Sequence, residues 1–330
     1  MPSRFEVLIA DSEWSDASIE QEVLKKIEAT VKKLQVTDVN NLQKVAATAN
    51  AVICEYTVLS SEVISNLKEA KVIVVYGVGY DNVDVKAATE KGIVVCNIPD
   101  FMTYEVADHA MALLLNLLRK IAIADRLVKT GEWSRDGPQV AARLGPLTNL
   151  DGKVAGIIGF GRIGRQLAER LQAFHLRVIA YDPYVNKDLA AKNKVELVDI
   201  KTLLKESDII SIHTPLSEET YHLIGEKEIS LMKRTAVIVN TSRGKVIDQE
   251  ALINALISKK IAGAGLDVLE KEPPELTDRL LKLENVILTP HIASMSEKSY
   301  HNLRRMAAEE TARVLMGKRP RHPVNFEVRA

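Results

Sequence analysis

Val154-Ala155-Gly156-Ile157-Ile158-Gly159-Phe160-Gly161-Arg162-Ile163-Gly164, near the middle of a 330-residue chain, is an apolar run ending in glycines spaced G-x-G-x-x-G. The run predicts a buried strand, Gly159 a tight turn, and the pattern after Gly164, with Leu167 and Leu171, a helix. Gly161 removes the side chain that would block a pyrophosphate, and Gly164 lets the helix pack closely on the strand. The helix N-terminus then offers N–H groups and a partial positive charge to the phosphates. Eighteen residues after Gly164, Asp182 ends the next strand pattern, Val178-Ile179-Ala180-Tyr181. A carboxylate there accepts from the ribose hydroxyls and repels a 2′-phosphate, so the expected cofactor is NAD rather than NADP. A chance cluster of turn glycines followed by an Asp182-Pro183 turn would not need this order of strand, turn, helix, strand and acid.

Moving outward, the alternation continues on both sides. Downstream of Lys153 six strands are expected: Val154–Ile158, Arg177–Tyr181, Ile209–His213, Ala236–Asn240, Gly263–Leu266 and Val286–Leu288. With the helical patterns between them they suffice for a doubly wound dinucleotide fold. Upstream, the runs Phe5–Ala10, Ala51–Cys54, Val72–Val75 and Ile93–Cys96 alternate with helix candidates at Ile19–Lys33, Ser60–Leu67 and Val85–Lys91. That spacing implies right-handed crossovers and a second parallel sheet, giving an α/β chain of two doubly wound domains. One long helix is expected over Tyr104–Lys129, apolar on more than one face. Trp133–Asn149, with Gly137, Pro138, Gly145 and Pro146, has no period and reads as a surface connection. A last helix is expected over Ser296–Met316.

Composition narrows the function classes. Lysine plus arginine and aspartate plus glutamate are 44 each, so there is no general basic face for nucleic acid. The basic tail Gly317-Lys318-Arg319-Pro320-Arg321-His322 reads as a solvated segment. The most apolar helical stretch, Ala110 to Ala124, is broken by Asn116, Arg119 and Lys120 and is too short to span a bilayer. Met1-Pro2-Ser3-Arg4-Phe5-Glu6 enters a strand pattern without the apolar core of a signal peptide. Cys54 and Cys96 each end an apolar run and are expected to be buried and reduced. The expectation is a cytoplasmic protein with no membrane partner. No cysteine–histidine group has zinc spacing, so no metal is implied.

Three further segments end strands of the glycine-turn domain: Asn240-Thr241-Ser242-Arg243-Gly244, Leu266-Asp267-Val268-Leu269-Glu270-Lys271-Glu272-Pro273, and Thr289-Pro290-His291-Ile292-Ala293-Ser294. Loops at the carboxyl ends of parallel strands converge on a ligand crevice, so an arginine, a carboxylate and a histidine can meet despite their separation in sequence. Taken singly, each has a plainer reading: a structural histidine after proline, a solvated arginine turn, a Glu-Pro loop.

With these segments, Tyr76-Gly77-Val78-Gly79-Tyr80-Asp81-Asn82-Val83-Asp84 and His213-Thr214-Pro215-Leu216, the chain resembles the D-isomer-specific 2-hydroxyacid dehydrogenases over nearly its whole length. The resemblance implies a flavodoxin-like substrate domain built from both chain ends, residues 1–103 and 296–330. Between them it implies a Rossmann NAD-binding domain, residues 104–295, whose segment 104–149 makes a homodimer. It implies a small 2-keto or 2-hydroxy acid as substrate. His291 would be the general acid, a role suited to a group titrating near neutrality. Glu272 would hydrogen-bond its ring and favour the charged form. Arg243 would grip the substrate carboxylate and carbonyl as a planar fork, and the backbone amides of Val78 and Gly79 would cradle the same carboxylate. Asp267 would face the nicotinamide amide. The cofactor would also meet Gly159, Gly161, Arg162, Ile163, Gly164, Asp182, His213, Thr214, Pro215, Thr220, Thr241, Ser242, Arg243 and His291.

Within the family, phosphoglycerate dehydrogenases usually carry an arginine–serine pair in the loop after the third strand. Here it reads Cys54-Glu55-Tyr56-Thr57, which counts against a phosphorylated substrate without closing that alternative. Val95-Cys96-Asn97-Ile98-Pro99-Asp100 and Glu105-Val106-Ala107-Asp108-His109-Ala110 look most like bacterial members labelled C-terminal-binding-protein-like. Ser294 stands where the animal relatives have a tryptophan, which weakens that analogy. A second class therefore stays open: an NAD-sensing, corepressor-type binding protein.

Overall fold

The structure is a computed structural model describing residues 4–34, 42, 45–145 and 147–328. Of the residues read above, Met1, Pro2, Ser3 and Pro146 lie outside it. The chain divides into two units, one formed by Met1–Met102 with Met295–Ala330, the other by Thr103–Ser294.

The first unit is a five-stranded sheet of β1 (Phe5–Ile9), β2 (Ala29–Lys33), β3 (Ala51–Cys54), β4 (Val72–Val75) and β5 (Val94–Cys96). The order is β2-β1-β3-β4-β5 and every pairing is parallel. Strands β3 and β4, AVIC and VIVV, are buried at every position, as expected for strands covered on both faces. Val7, Ile53 and Val74 pack toward Leu303 and Ala307 of the helix Glu297–Leu315, while Leu8, Val52 and Ile73 pack toward Leu59, Val63 and Ile64. The helix Ser18–Leu24 is joined to Glu297–Leu315 by a buried ion pair, Arg304 to Glu20 at 2.7 Å, and Glu20 also accepts from the Tyr76 hydroxyl.

Strand β2 corrects the expected helix over Ile19–Lys33. The helix ends at Leu24, a short 3₁₀ turn follows, and Glu28 adopts a left-handed φ of 58° that no helix continues through. Thr30 and Val31 are β-branched, and Ala29 and Val31 share the more buried side, so the segment pairs with β1 in register Phe5↔Ala29.

The second unit carries β6 (Val154–Ile158), β7 (Arg177–Tyr181), β8 (Glu196–Leu197), β9 (Ile209–Ile212), β10 (Val237–Asn240), β11 (Gly263–Leu266) and β12 (Val286–Leu288). Their order is β12-β11-β10-β9-β6-β7-β8, all parallel, so seven strands replace the six expected. The additional β8 is two residues long and sits at an edge, too short to carry a period. Ala155 and Ile157 face Leu114 of the helix Thr103–Arg119 and Leu167 of Arg162–Ala173; Ile158, Ile210 and Ile212 face Leu252 and Leu256 of Gln249–Ile257.

Two expectations about 104–149 are also corrected. The long helix is broken at Lys120, whose φ is 54°, into Thr103–Arg119 and Ile121–Lys129, with Asn116 Oδ1 accepting from the Ala122 amide at the new start. The supposed irregular connection contains short helices, Glu132–Asp136 and Val140–Leu144. These are held by Arg143 contacts to Glu132 and Asp136. Such side-chain contacts stabilise turns that show no apolar period. Among the described residues no helix is long and apolar enough to cross a membrane.

Candidate active site

In the second unit the chain order reverses between β6 and β9, so the loops after those strands flank the crevice where such sheets hold ligands. The loop after β6 is the glycine turn. Gly159 has φ +90°, and a Cβ there would stand 2.7 Å from the His213 carbonyl carbon. A Cβ at Gly164 would meet the Gly159 carbonyl oxygen at 2.3 Å. Gly161 has nothing within 4 Å of where its Cβ would be. Two glycines are thus required by packing and the third leaves open space. That space lies at the start of the helix Arg162–Ala173, opened by Arg162 and Ile163, whose N-cap makes no side-chain hydrogen bond.

Asp182, just after β7, receives the Phe160 amide on Oδ2 at 2.8 Å and the Tyr184 amide on Oδ1 at 2.9 Å. These bonds aim the carboxylate beside the glycine turn and leave each oxygen a further lone pair. At the ends of β9 and β10, His213 Nδ1, Thr214 Oγ1 and Thr241 Oγ1 are buried with no partner among the described residues. Buried polar atoms are rarely left so, and three at the crevice fit a ligand with hydroxyl, amide and phosphate groups. Burial lowers His213 to about 4, and its Nε2 shares a hydrogen bond with Ser211 Oγ, so the ring is neutral. Thr220 Oγ1 donates to the Pro215 carbonyl and accepts from the Ser217 amide, closing that loop on itself.

On the neighbouring loops, His291 Nδ1 lies 2.7 Å from Glu272 Oε2. Burial pushes the Glu272 carboxyl upward, but the hydrogen bond and charge of His291, the Leu269 amide and the charge of Arg243 outweigh it, and the net shift is downward. Glu272 is therefore ionised and paired. Arg243 follows β10 in an extended conformation, and a Cβ at Gly244 would fall 2.4 Å from the Glu270 nitrogen, so the arginine turn abuts the glutamate segment. Asn240, wholly buried, shapes that turn by accepting from Ser242 and donating to the Arg243 carbonyl.

The Asp267 side chain has 0 % exposure and holds the histidine loop. It accepts from Thr289 Oγ1 at 2.5 Å and from the Ile292 and Ala293 amides, while its own carbonyl accepts the His291 amide. His109 completes the arrangement through Thr289 at 2.9 Å. This scaffold keeps His291 at a left-handed φ of 55°, a conformation that a non-glycine residue holds at a cost of about 1 kcal/mol. His109, Thr289 and Asn240 were not singled out by sequence. For Thr289 and Asn240 the signal was position, a polar residue at or beside a strand end, and for His109, inside the helix Thr103–Arg119, there was none. Val78 and Gly79 lie in the first unit, in the loop after β4, where Asn97 Nδ2 donates to the Val78 carbonyl.

Residues 111–293 match the family model described as D-isomer specific 2-hydroxyacid dehydrogenase, NAD binding domain. The chain is 45% identical over 272 residues to a glyoxylate reductase of Korarchaeum cryptofilum, covering 82% of this chain and 80% of that one. It is 40% identical over 321 residues to a D-3-phosphoglycerate dehydrogenase of Methanocaldococcus jannaschii, covering 97% of this chain and 59% of that one. Among solved structures, D-lactate dehydrogenase from Aquifex aeolicus, complexed with NAD and lactic acid, superposes with a TM-score of 0.82 at 32% identity. That match covers 94% of this chain and 96% of the other.

Proposed function

Since the chain belongs to the D-isomer specific 2-hydroxyacid dehydrogenase family, we propose that it reduces a small unphosphorylated 2-keto acid with NADH, glyoxylate being the first candidate. The observation that carries this reading is the 2.7 Å contact between Glu272 and His291. A carboxylate on Nδ1 assigns proton exchange with substrate to Nε2, and it stabilises the positive charge that a general acid must carry before it gives up its proton. The nicotinamide, when bound, supplies the hydride to the carbonyl carbon. His291 protonates the carbonyl oxygen. Arg243 holds the substrate carboxylate, and in the first unit Val78 and Gly79 offer backbone amides suited to a carboxylate. Asp267 faces the nicotinamide amide and steadies the histidine loop. The glycine turn, the start of Arg162–Ala173, Asp182, and the His213–Thr220 and Thr241–Arg243 loops hold the nucleotide. The second unit is thus the NAD-binding domain and the first the substrate domain.

A phosphorylated substrate is disfavoured by the first unit, where the Glu13 carboxylate accepts from the Tyr56 hydroxyl in the loop after β3. Repulsion between carboxylate and phosphate at short range works against binding. Exposed Ile121, Val128, Trp133 and Leu147 support homodimerisation through 104–149, and two buried free cysteines support a reducing, cytoplasmic setting. The test is a panel of glyoxylate, hydroxypyruvate, pyruvate and 3-phosphohydroxypyruvate, following NADH oxidation. Glyoxylate or hydroxypyruvate is expected to lead in kcat/KM. Preference for the phosphorylated acid would sink the substrate assignment, and NADH binding without consumption of any acid would favour the sensor class.

A further inference from the structure

The histidine side of the dyad is anchored by Asp267, which is fully buried. The glutamate side has no such support from burial, because the Glu272 side chain is 36% exposed and lies beyond the end of β11. What fixes it is a bracket two residues earlier. Glu270 Oε1 accepts from His222 Nε2 at 2.8 Å and from the Gln249 amide at 3.0 Å. The Glu270 amide donates to Gln249 Oε1 at 3.1 Å, and Gln249 Nε2 in turn donates to Asp278. His222 is itself immobilised: its φ is 49°, its amide donates to the Lys245 carbonyl, and its ring stacks on Tyr221 at 4.1 Å. Between the bracket and the dyad only the Leu269–Glu272 turn intervenes, closed by the Leu269 amide on Glu272 Oε1 at 2.7 Å.

We infer that Glu270 is a positioning residue for the Glu272–His291 dyad, and that His222 is its partner, tying the loop of Thr220 to the loop of Glu272. The inference rests on the dyad reading above. His222, Asp248 and Glu270 place their ligand-type atoms within 4.8 Å of one another, yet the bonds just described, and the Ala251 amide on Asp248, already give each of these side chains work in holding loops. The ionisable groups around Glu270 are His222, Asp248 and Asp278; around Glu272 they are His291 and Arg243. Releasing the bracket lets Glu272 leave the ring, and a displacement of about 1 Å at a catalytic group can cost as much as 100-fold in rate.

The experiment compares E270A, E270Q, H222F and the E270A/H222F double variant in NADH-dependent keto-acid reduction across pH, with H291A as reference. E270A is expected to lower kcat about tenfold and to move the alkaline limb of the profile to lower pH, with the KM for NADH changing less. E270Q, which keeps the acceptor, should recover most of the loss. H222F should move the limb the same way, and the double variant should be no worse than E270A. Profiles that coincide with wild type in E270A and H222F, even with a lower Tm, would overturn the inference. So would effects that multiply in the double variant. If E270A does not fold, H222F decides by the same limb. Wild-type turnover by H291A would remove the dyad reading itself, and this inference with it; loss in H291A alone would leave the dyad and remove only Glu270.

Discussion

Two glutamates stand at the carboxyl edges of the two sheets and are driven in opposite directions. Glu272, after β11, is half-exposed and faces an imidazole and a guanidinium; its carboxyl is held below the ordinary range despite partial burial. Glu55, after β3, is more deeply buried and faces carboxylates. Burial first, then the charges of Glu13 and Asp11, push it up to about 8, against the Glu13 amide and the charge of Lys33. Asp11 meanwhile is committed to the amides of Glu55, Tyr56 and Thr57. The residue type is the same and both follow a strand. What differs is the depth of burial and the sign of the neighbour, and together these make one a fixed negative charge and the other a proton store near neutrality.

The sharpest way to break the comparison is to remove the neighbour that defines Glu272. His291→Ala should lower kcat by about 100-fold or more while the NADH dissociation constant changes little, since the glycine turn is untouched. Stopped-flow turnover beside a fluorescence titration checks this, and an unchanged kcat would refute the acid role.

Next in size is Glu272→Gln. Reduction needs a protonated His291, so the rate is high on the acid side and falls as pH rises. Without the carboxylate the charged ring is less favoured, and the alkaline limb should move down by about one pH unit, with kcat about tenfold lower. In the wild type the carboxylate's support is present above its depressed pKa and lost as pH falls through it. A limb that stays in place would show that the pair is not electrostatically coupled.

The smallest effect belongs to Glu55→Gln and concerns stability. Between the ordinary carboxylate range and about 8 the folded chain keeps a proton that the unfolded chain has released. Stability contributed by this group therefore declines as pH rises through that window. The variant should match wild type at about pH 5 and melt about 2 °C higher at about pH 8.5 by calorimetry. Parallel melting curves at both pH values would show that Glu55 titrates normally.

Much of this was legible in the chain. Central strands such as Val72–Val75 and Ala51–Cys54 are continuous apolar runs because both faces are covered, and a run of that kind announces itself. The edge strands β2 and β8 were not, unlike β5 and β12, since they are half-solvated or two residues long and their stability comes from the neighbour they pair with. The glycine turn could be read because its steric demands fall on residues a few positions apart, Gly159 against Gly164, so spacing encodes the constraint.

The dyad's support could not be read in that way. Nothing in Leu269-Glu270-Lys271-Glu272 says which glutamate meets a histidine 19 residues on and which meets one 48 residues back. The sequence by itself determined two parallel sheets and the nucleotide turn, because those follow from periodicity and local sterics; the reacting groups were named only by the family resemblance. Only the tertiary structure decided that Asp267 holds a loop, that Glu270 brackets another, and that two glutamates carry opposite proton affinities. Each of those outcomes depends on distances and charges between segments that the chain order leaves far apart.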